Sequence, residues 1–145
     1  TNLSRYLVEQ DDSWSICFYR NATGERLLTQ ADLRNFQLAK GAVRAGTQVL
    51  LERCGFAPEE VPQVLVTGAL GMALPTEVLK RVALLPEPML DKTSFIANGV
   101  LAGLQDYLNA AEGQQQLADL TNKIQPFPLS GTPTFEKLFL AALEF

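Results

Sequence analysis

The chain contains no histidine among its 145 residues and only two cysteines, Cys17 and Cys54, which lie far apart in sequence. That excludes the common Cys/His zinc patterns and ligation of an iron-sulfur cluster by four cysteines within this chain. The Ser-His-Asp and Cys-His forms of nucleophilic catalysis go with the histidine, so any chemistry here must use carboxylates, lysine or a bound cofactor. Basic charge is scarce too: 12 Lys and Arg stand against 16 Asp and Glu, a formal net charge of -4. An electrostatic grip on nucleic acid or on an anionic membrane is therefore not expected. No apolar run approaches the ~20 residues needed to span a bilayer, and the N-terminus lacks the basic-then-apolar order of a signal peptide. The expectation is a cytoplasmic protein with two reduced, buried thiols, whose partners are proteins or small molecules. Because the chain opens at Thr1 without an initiator methionine, it is expected to be a piece of a longer polypeptide.

What is present is ample apolar material. At 47% hydrophobic content, residues 1–145 can bury the core of one domain. The most informative stretch runs from Gln63 to Met72, where the apolar strand Gln63-Val64-Leu65-Val66-Thr67 stops in the small-residue turn Gly68-Ala69-Leu70-Gly71. Without a Cβ, Gly68 and Gly71 let the backbone take positive φ and lie close against something else, such as a phosphate or a nucleoside.

The elements around that stretch read as follows. Leu3 to Glu9 and Trp14 to Arg20 are strand-like runs separated by a polar turn, with a third short strand at Glu25 to Leu28. Thr29-Gln30-Ala31-Asp32 opens a long helix ending at Gly55, with a threonine cap and an acidic first turn. Its apolar residues Leu33, Phe36, Ala39, Val43, Leu50 and Cys54 recur at helical spacing and are expected to face the core. Another face carries Gln37, Lys40, Gly41, Arg44 and Gln48; a ligand or another backbone close to Gly41 would account for a mid-helix glycine. Beyond the glycine turn, Pro75-Thr76-Glu77 starts a helix over Val78 to Ala83, and Leu84 to Pro88 is extended. A helix is expected from about Phe95 to Ala111, packed through Ile96, Val100, Gly103, Leu104 and Leu108, and helix resumes over Leu117 to Lys123. Ile124 to Leu129, broken by Pro126 and Pro128, reads as an edge strand, and a last helix docks on the core through Phe135, Leu138, Phe139 and Leu143. This order implies an α/β layer arrangement, a mixed sheet flanked by helices.

Several strings together carry a family resemblance: Leu28-Thr29-Gln30-Ala31-Asp32-Leu33, Gln37 through Gly46, Val66-Thr67-Gly68-Ala69-Leu70-Gly71, Leu84-Leu85-Pro86, Asn98 through Gly103, and the closing run from Phe127 to Leu143. In this order they resemble the C-terminal domain of reductive activators of corrinoid proteins, over roughly Glu25 to Phe145. The resemblance implies a ribonuclease-H-like, actin-like ATPase half-domain of the acetate and sugar kinase, heat-shock-cognate and actin superfamily. It implies ATP with Mg²⁺ in a cleft between two lobes of the parent protein, and a 2Fe-2S cluster in a parent N-terminal domain. The implied task is ATP-dependent return of a Co(II) corrinoid protein to Co(I) for methyl transfer or O-demethylation. On the family pattern, Gly68, Ala69, Leu70 and Gly71 form the adenosine-side turn, while Gln37, Lys40, Gly41 and Arg44 form the helix face that meets ribose and adenine. Where the family usually has Gly-Asn, an aromatic and a polar residue, this chain has Ala97-Asn98, Leu70 and Met72. The implied partner is the corrinoid protein, with a homodimer as a further expectation.

Two other readings compete. The chain could be a docking or dimerisation module that no longer binds nucleotide, its small-residue helix faces serving as packing surfaces. It could also be half of a small-molecule kinase of the same superfamily, but that needs a general base, and Asp32 and Asp106 sit on predicted helices where a solvated role is the expectation.

Overall fold

The computed structural model describes residues 4–10, 12–68 and 75–144. A short 3-10 turn, Ser4–Tyr6, leads into a three-stranded antiparallel sheet of β1 (Leu7–Gln10), β2 (Ser13–Asn21) and β3 (Gly24–Leu28) in the order β1-β2-β3. The long helix α1 (Gln30–Cys54) follows, and then β4 (Val64–Thr67). Two short helices, α2 (Thr76–Arg81) and α3 (Glu87–Leu90), precede β5 (Thr93–Ile96), which pairs with β4 in parallel. Helices α4 (Gly99–Asn109), α5 (Gly113–Lys123) and α6 (Pro133–Ala141) complete the fold. It is a mixed α/β arrangement in which, among the described residues, antiparallel and parallel pairings lie in separate sheets.

Helix α1 begins and ends where its caps dictate. The Thr29 hydroxyl accepts from the Asp32 amide at 3.1 Å, and the Asp32 carboxylate accepts from the Thr29 amide at 2.9 Å and the Thr29 hydroxyl at 2.7 Å. This reciprocal box satisfies first-turn donors that the helix itself cannot. The same bonds, backbone first, hold the Asp32 carboxyl below its ordinary value. Gly55, at φ 73°, closes the helix in the left-handed conformation.

The buried side of α1 is not the stripe of large apolar residues. Phe36, Val43 and Leu50 are 43%, 47% and 46% exposed, and Ala39 and Cys54 are exposed as well, with Leu33 half-buried. Buried instead are Lys40, Gly41, Ala45, Gly46 and Val49. The cause is close packing: α6 crosses α1 so near that a Cβ on Gly41 would lie 3.1 Å from Leu143 Cδ2 and 3.3 Å from Phe139 Cε2. A close crossing selects small side chains, whatever the hydropathy of the opposite face. The expected docking of Phe135, Leu138, Phe139 and Leu143 holds, since all four are half-buried, with the Phe135 and Phe139 rings stacked 5.8 Å apart.

A second cluster joins the parallel strands to the short helices. Leu79, Leu85 and Leu90 are buried together, with Val64, Leu84 and Phe95 packed against them. Here the expected helix from Phe95 is corrected: Thr93–Ile96 is a strand, registered Val66 against Phe95 and Thr67 against Ile96, and the helix starts only at Gly99. The packing stripe expected on that helix is corrected too, because Val100, Leu104 and Leu108 are 81%, 51% and 69% exposed. Residues 124–129 form no strand, in keeping with two prolines that cannot donate to a ladder. Glu87 and Pro88, expected at the end of the extended stretch from Leu84, instead open a helical turn, Glu87–Leu90. Of the two thiols, Cys17 is buried as expected and Cys54 is exposed.

Candidate functional site

Strands β4 and β5 end level with one another, and the chain leaves both at small residues. After Thr67, Gly68 takes φ 99°, and among the described residues a Cβ there would meet nothing within 4 Å. After Ile96, Asn98 adopts φ 52° and ψ 37° and hands the chain to α4. The Thr67 hydroxyl ties the two exits together: it donates to the Ile96 carbonyl at 2.9 Å and accepts from the Gly99 amide at 3.0 Å. Gly99 approaches so closely that a Cβ would fall 2.6 Å from that hydroxyl oxygen.

These exits frame an open crevice of about 430 Å³, lined by Thr67, Gly68, Asn98, Gly99, Val100, Leu101 and Leu104. A crevice beyond the carboxyl ends of parallel strands is the usual ligand position in open α/β sheets. Its chemistry is specific. Three apolar side chains from the first turns of α4 offer a surface for a flat ring, glycine backbone allows close approach, and the asparagine adds a polar rim. Ala69, Leu70 and Gly71, expected to complete the turn, lie outside the described residues.

The α1 residues expected at the site are placed elsewhere. Lys40 is 1% exposed, and its amine donates to the backbone carbonyl of Glu144. The Arg44 guanidinium donates to the carbonyls of Ala83 at 3.2 Å and Leu85 at 3.1 Å, holding the chain just after α2. The room left by Gly41 is filled by Phe139 of α6 and by Leu143 just beyond its end, so the close neighbour there is the α6 segment. Gln37 lines a different hollow of about 460 Å³, beside Gln30, Ala31, Leu33 and Arg34. None of these four α1 residues is among those that line the crevice, so the structure does not bring them together with Gly68 at one described surface.

Burial pushes the Lys40 amine below the ordinary lysine value of 10.5, and the neighbouring Arg44 charge lowers it further. Between the lowered folded value and 10.5 the unfolded chain holds more protons than the folded one, so Lys40 makes stability rise with pH there. Below that window the cost of burying the charge is constant. Thermal melts at alkaline pH, compared between the wild type and Lys40→Met, check this: the variant loses the upward slope, and an unchanged slope refutes the assignment.

The crevice residues that sequence reasoning did not assign to the site are Thr67, Asn98, Gly99, Val100, Leu101 and Leu104. A signal was available, since Thr-Ser-Phe-Ile is four residues of strand type followed by the turn pair Asn98-Gly99. Read as a strand, it would have put two strand exits side by side.

Comparison with known proteins gives concordant results. The family model described as the C-terminal domain of RACo, the ASKHA domain, matches residues 2–145. The corrinoid activation enzyme RamQ of Eubacterium limosum is 31% identical over 86 residues, which are 59% of this chain and 14% of that protein. The solved structure of a reductive activator for corrinoid, iron-sulfur protein has a TM-score of 0.84 at 23% identity, covering 97% of this chain and 23% of that one. At that identity the likeness is one of fold. The chain thus spans 14% and 23% of the lengths of these two proteins.

Proposed function

The chain belongs to the family of RACo C-terminal ASKHA domains, and from that premise we propose that it forms the adenosine side of an ATP cleft in a longer reductive activator. That protein returns a Co(II) corrinoid protein, its substrate, to Co(I) for methyl transfer. The observation that carries the reading is the crevice outside the carboxyl ends of β4 and β5, where no described residue would meet a Cβ on Gly68 and three apolar side chains offer a ring-sized wall. The donor set fits a nucleoside: apolar contact for the base faces, an amide at the rim and glycine backbone.

In this reading Gly68, Ala69, Leu70 and Gly71 form the turn against the nucleoside. Of the α1 residues, Gln37 lines a separate hollow, while Arg44 fixes the chain after α2, Lys40 holds the Glu144 carbonyl and Gly41 seats α6, so their part is to support the fold behind the cleft. When bound with Mg²⁺, ATP supplies the differential affinity that favours a closed pair of lobes, which biases the partner toward accepting an electron. A 2Fe-2S cluster in another domain of that longer protein would supply the electron. Residues 1–145 act as one domain, which on its own hydrolyses nothing.

Calorimetry on the full-length protein tests this. The expected outcome is saturable ATP binding, weakened at least tenfold, about 1.4 kcal/mol, by Gly68→Val, because a β-branched residue does not tolerate a φ of 99°. Exposed Leu108, Leu117, Leu120 and Ile124 favour a second reading, a docking or dimerisation module. A full-length protein that binds its corrinoid partner but gives no heat with ATP or ADP selects that module and ends the nucleotide reading.

A further inference from the structure

We propose that Asn98 reads the base held in the crevice, its side-chain amide selecting adenine over guanine; this rests on the nucleoside reading above. The backbone comes first. Asn98 is one of three non-glycine residues with positive φ among the described residues, beside Asp12 and Ala83. Asparagine bears the left-handed conformation at lower cost than most residues, so the position suits it without explaining why a side chain is there at all.

Next is what the side chain leaves undone. Asn98 precedes the first turn of α4, where an asparagine ordinarily spends its oxygen capping helix amides. It makes no such bond, and its amide has no hydrogen-bond partner among the described residues. Among the described residues, the other polar side chain that lines the crevice is already committed, because the Thr67 hydroxyl both donates to Ile96 and accepts from Gly99. Val100, Leu101 and Leu104, which also line the crevice, have no polar side-chain atoms with which to tell one purine from another. Among the described residues, discrimination therefore falls to Asn98.

The chemistry of the amide determines the direction. It presents one oxygen acceptor and one NH₂ donor side by side. Adenine shows the matching pair on one edge, the N7 acceptor beside the N6 donor. Guanine shows two acceptors there, N7 and O6, so its O6 would face the amide oxygen.

Titrations of ATP and GTP onto the full-length protein test this in the wild type, Asn98→Gly and Asn98→Asp. Glycine keeps the left-handed backbone and deletes the amide; aspartate keeps the shape and the backbone tolerance but only accepts. The wild type is expected to prefer ATP by roughly 5- to 150-fold, as one bidentate pair allows. In Asn98→Gly the preference collapses with GTP affinity unchanged, and in Asn98→Asp ATP weakens while GTP does not improve. Equal losses for both nucleotides in both variants would mark a structural role and overturn the proposal, as would a wild type without preference for ATP. A wild type that binds ATP while Asn98→Gly retains the preference overturns this inference alone. One that binds neither nucleotide overturns it together with the nucleoside reading.

Discussion

Leu79→Ala is expected to lower the unfolding free energy by about 2–5 kcal/mol, the range for removing a fully buried leucine and leaving a cavity. Leu79 is 1% exposed and sits with Leu85 and Leu90 beneath Val64 and Phe95. Its importance follows from what it joins. A six-residue helix such as α2 is too short to stand alone in water, and a two-stranded sheet such as β4-β5 is equally marginal. Each therefore takes its stability from the shared cluster. Val64 and Phe95 belong to the strands whose exits frame the crevice, so under the proposed nucleoside reading ATP affinity is expected to fall with stability. Urea denaturation checks the first effect as a lower midpoint with an unchanged slope. Leu65→Ala, at a position 54% exposed, is the control and should cost under about 1 kcal/mol. A similar cost at both positions would refute the role given to the cluster.

The second large effect is expected at Gly41, where substitutions of different size should diverge. For alanine, the near neighbours are the ends of two flexible side chains, Leu143 Cδ2 at 3.1 Å and Phe139 Cε2 at 3.3 Å, while the Ala142 carbonyl oxygen is at an ordinary 3.5 Å. A few tenths of an ångström of yielding suffices, and alanine gains roughly 0.8–1 kcal/mol of helix propensity over glycine. Gly41→Ala should therefore be close to neutral. Leucine has no such escape, because its branches occupy the volume that α6 fills, and overpacking of this kind costs about 1–3 kcal/mol or more. Gly41→Leu should displace α6 and take the Lys40 bond to Glu144 with it. Hydrogen exchange reads this directly: α6 amides lose protection in the leucine variant and keep it in the alanine variant. Equal protection in the two would mean that α6 is not seated on this glycine.

Much of the fold was legible because it is written locally. The capping box of Thr29 and Asp32, the stop at Gly55, the hairpins before α1 and the proline-led start of α6 depend on residues within one turn of each other. Family membership was legible for a related reason, since an ordered series of short strings survives where each alone is weak. The candidate site was legible in part. Gly68 could be placed at the end of a strand, but its counterpart could not, because Thr93–Ile96 looked like the beginning of the helix that follows.

What the sequence determined by itself was the set of elements with strong local signals, the chemistry excluded by the missing histidines, and the family. Only the tertiary structure decided which face of α1 is buried, that the Lys40 and Arg44 donors go to the chain's own carbonyls, and that Asn98 shares a crevice with Gly68. The physical reason is that caps and turns close over a few residues, whereas burial depends on which partner arrives. Once α6 came in close, small side chains on α1 were worth more to the packing than large apolar ones, and the stripe of large apolar residues does not record that choice.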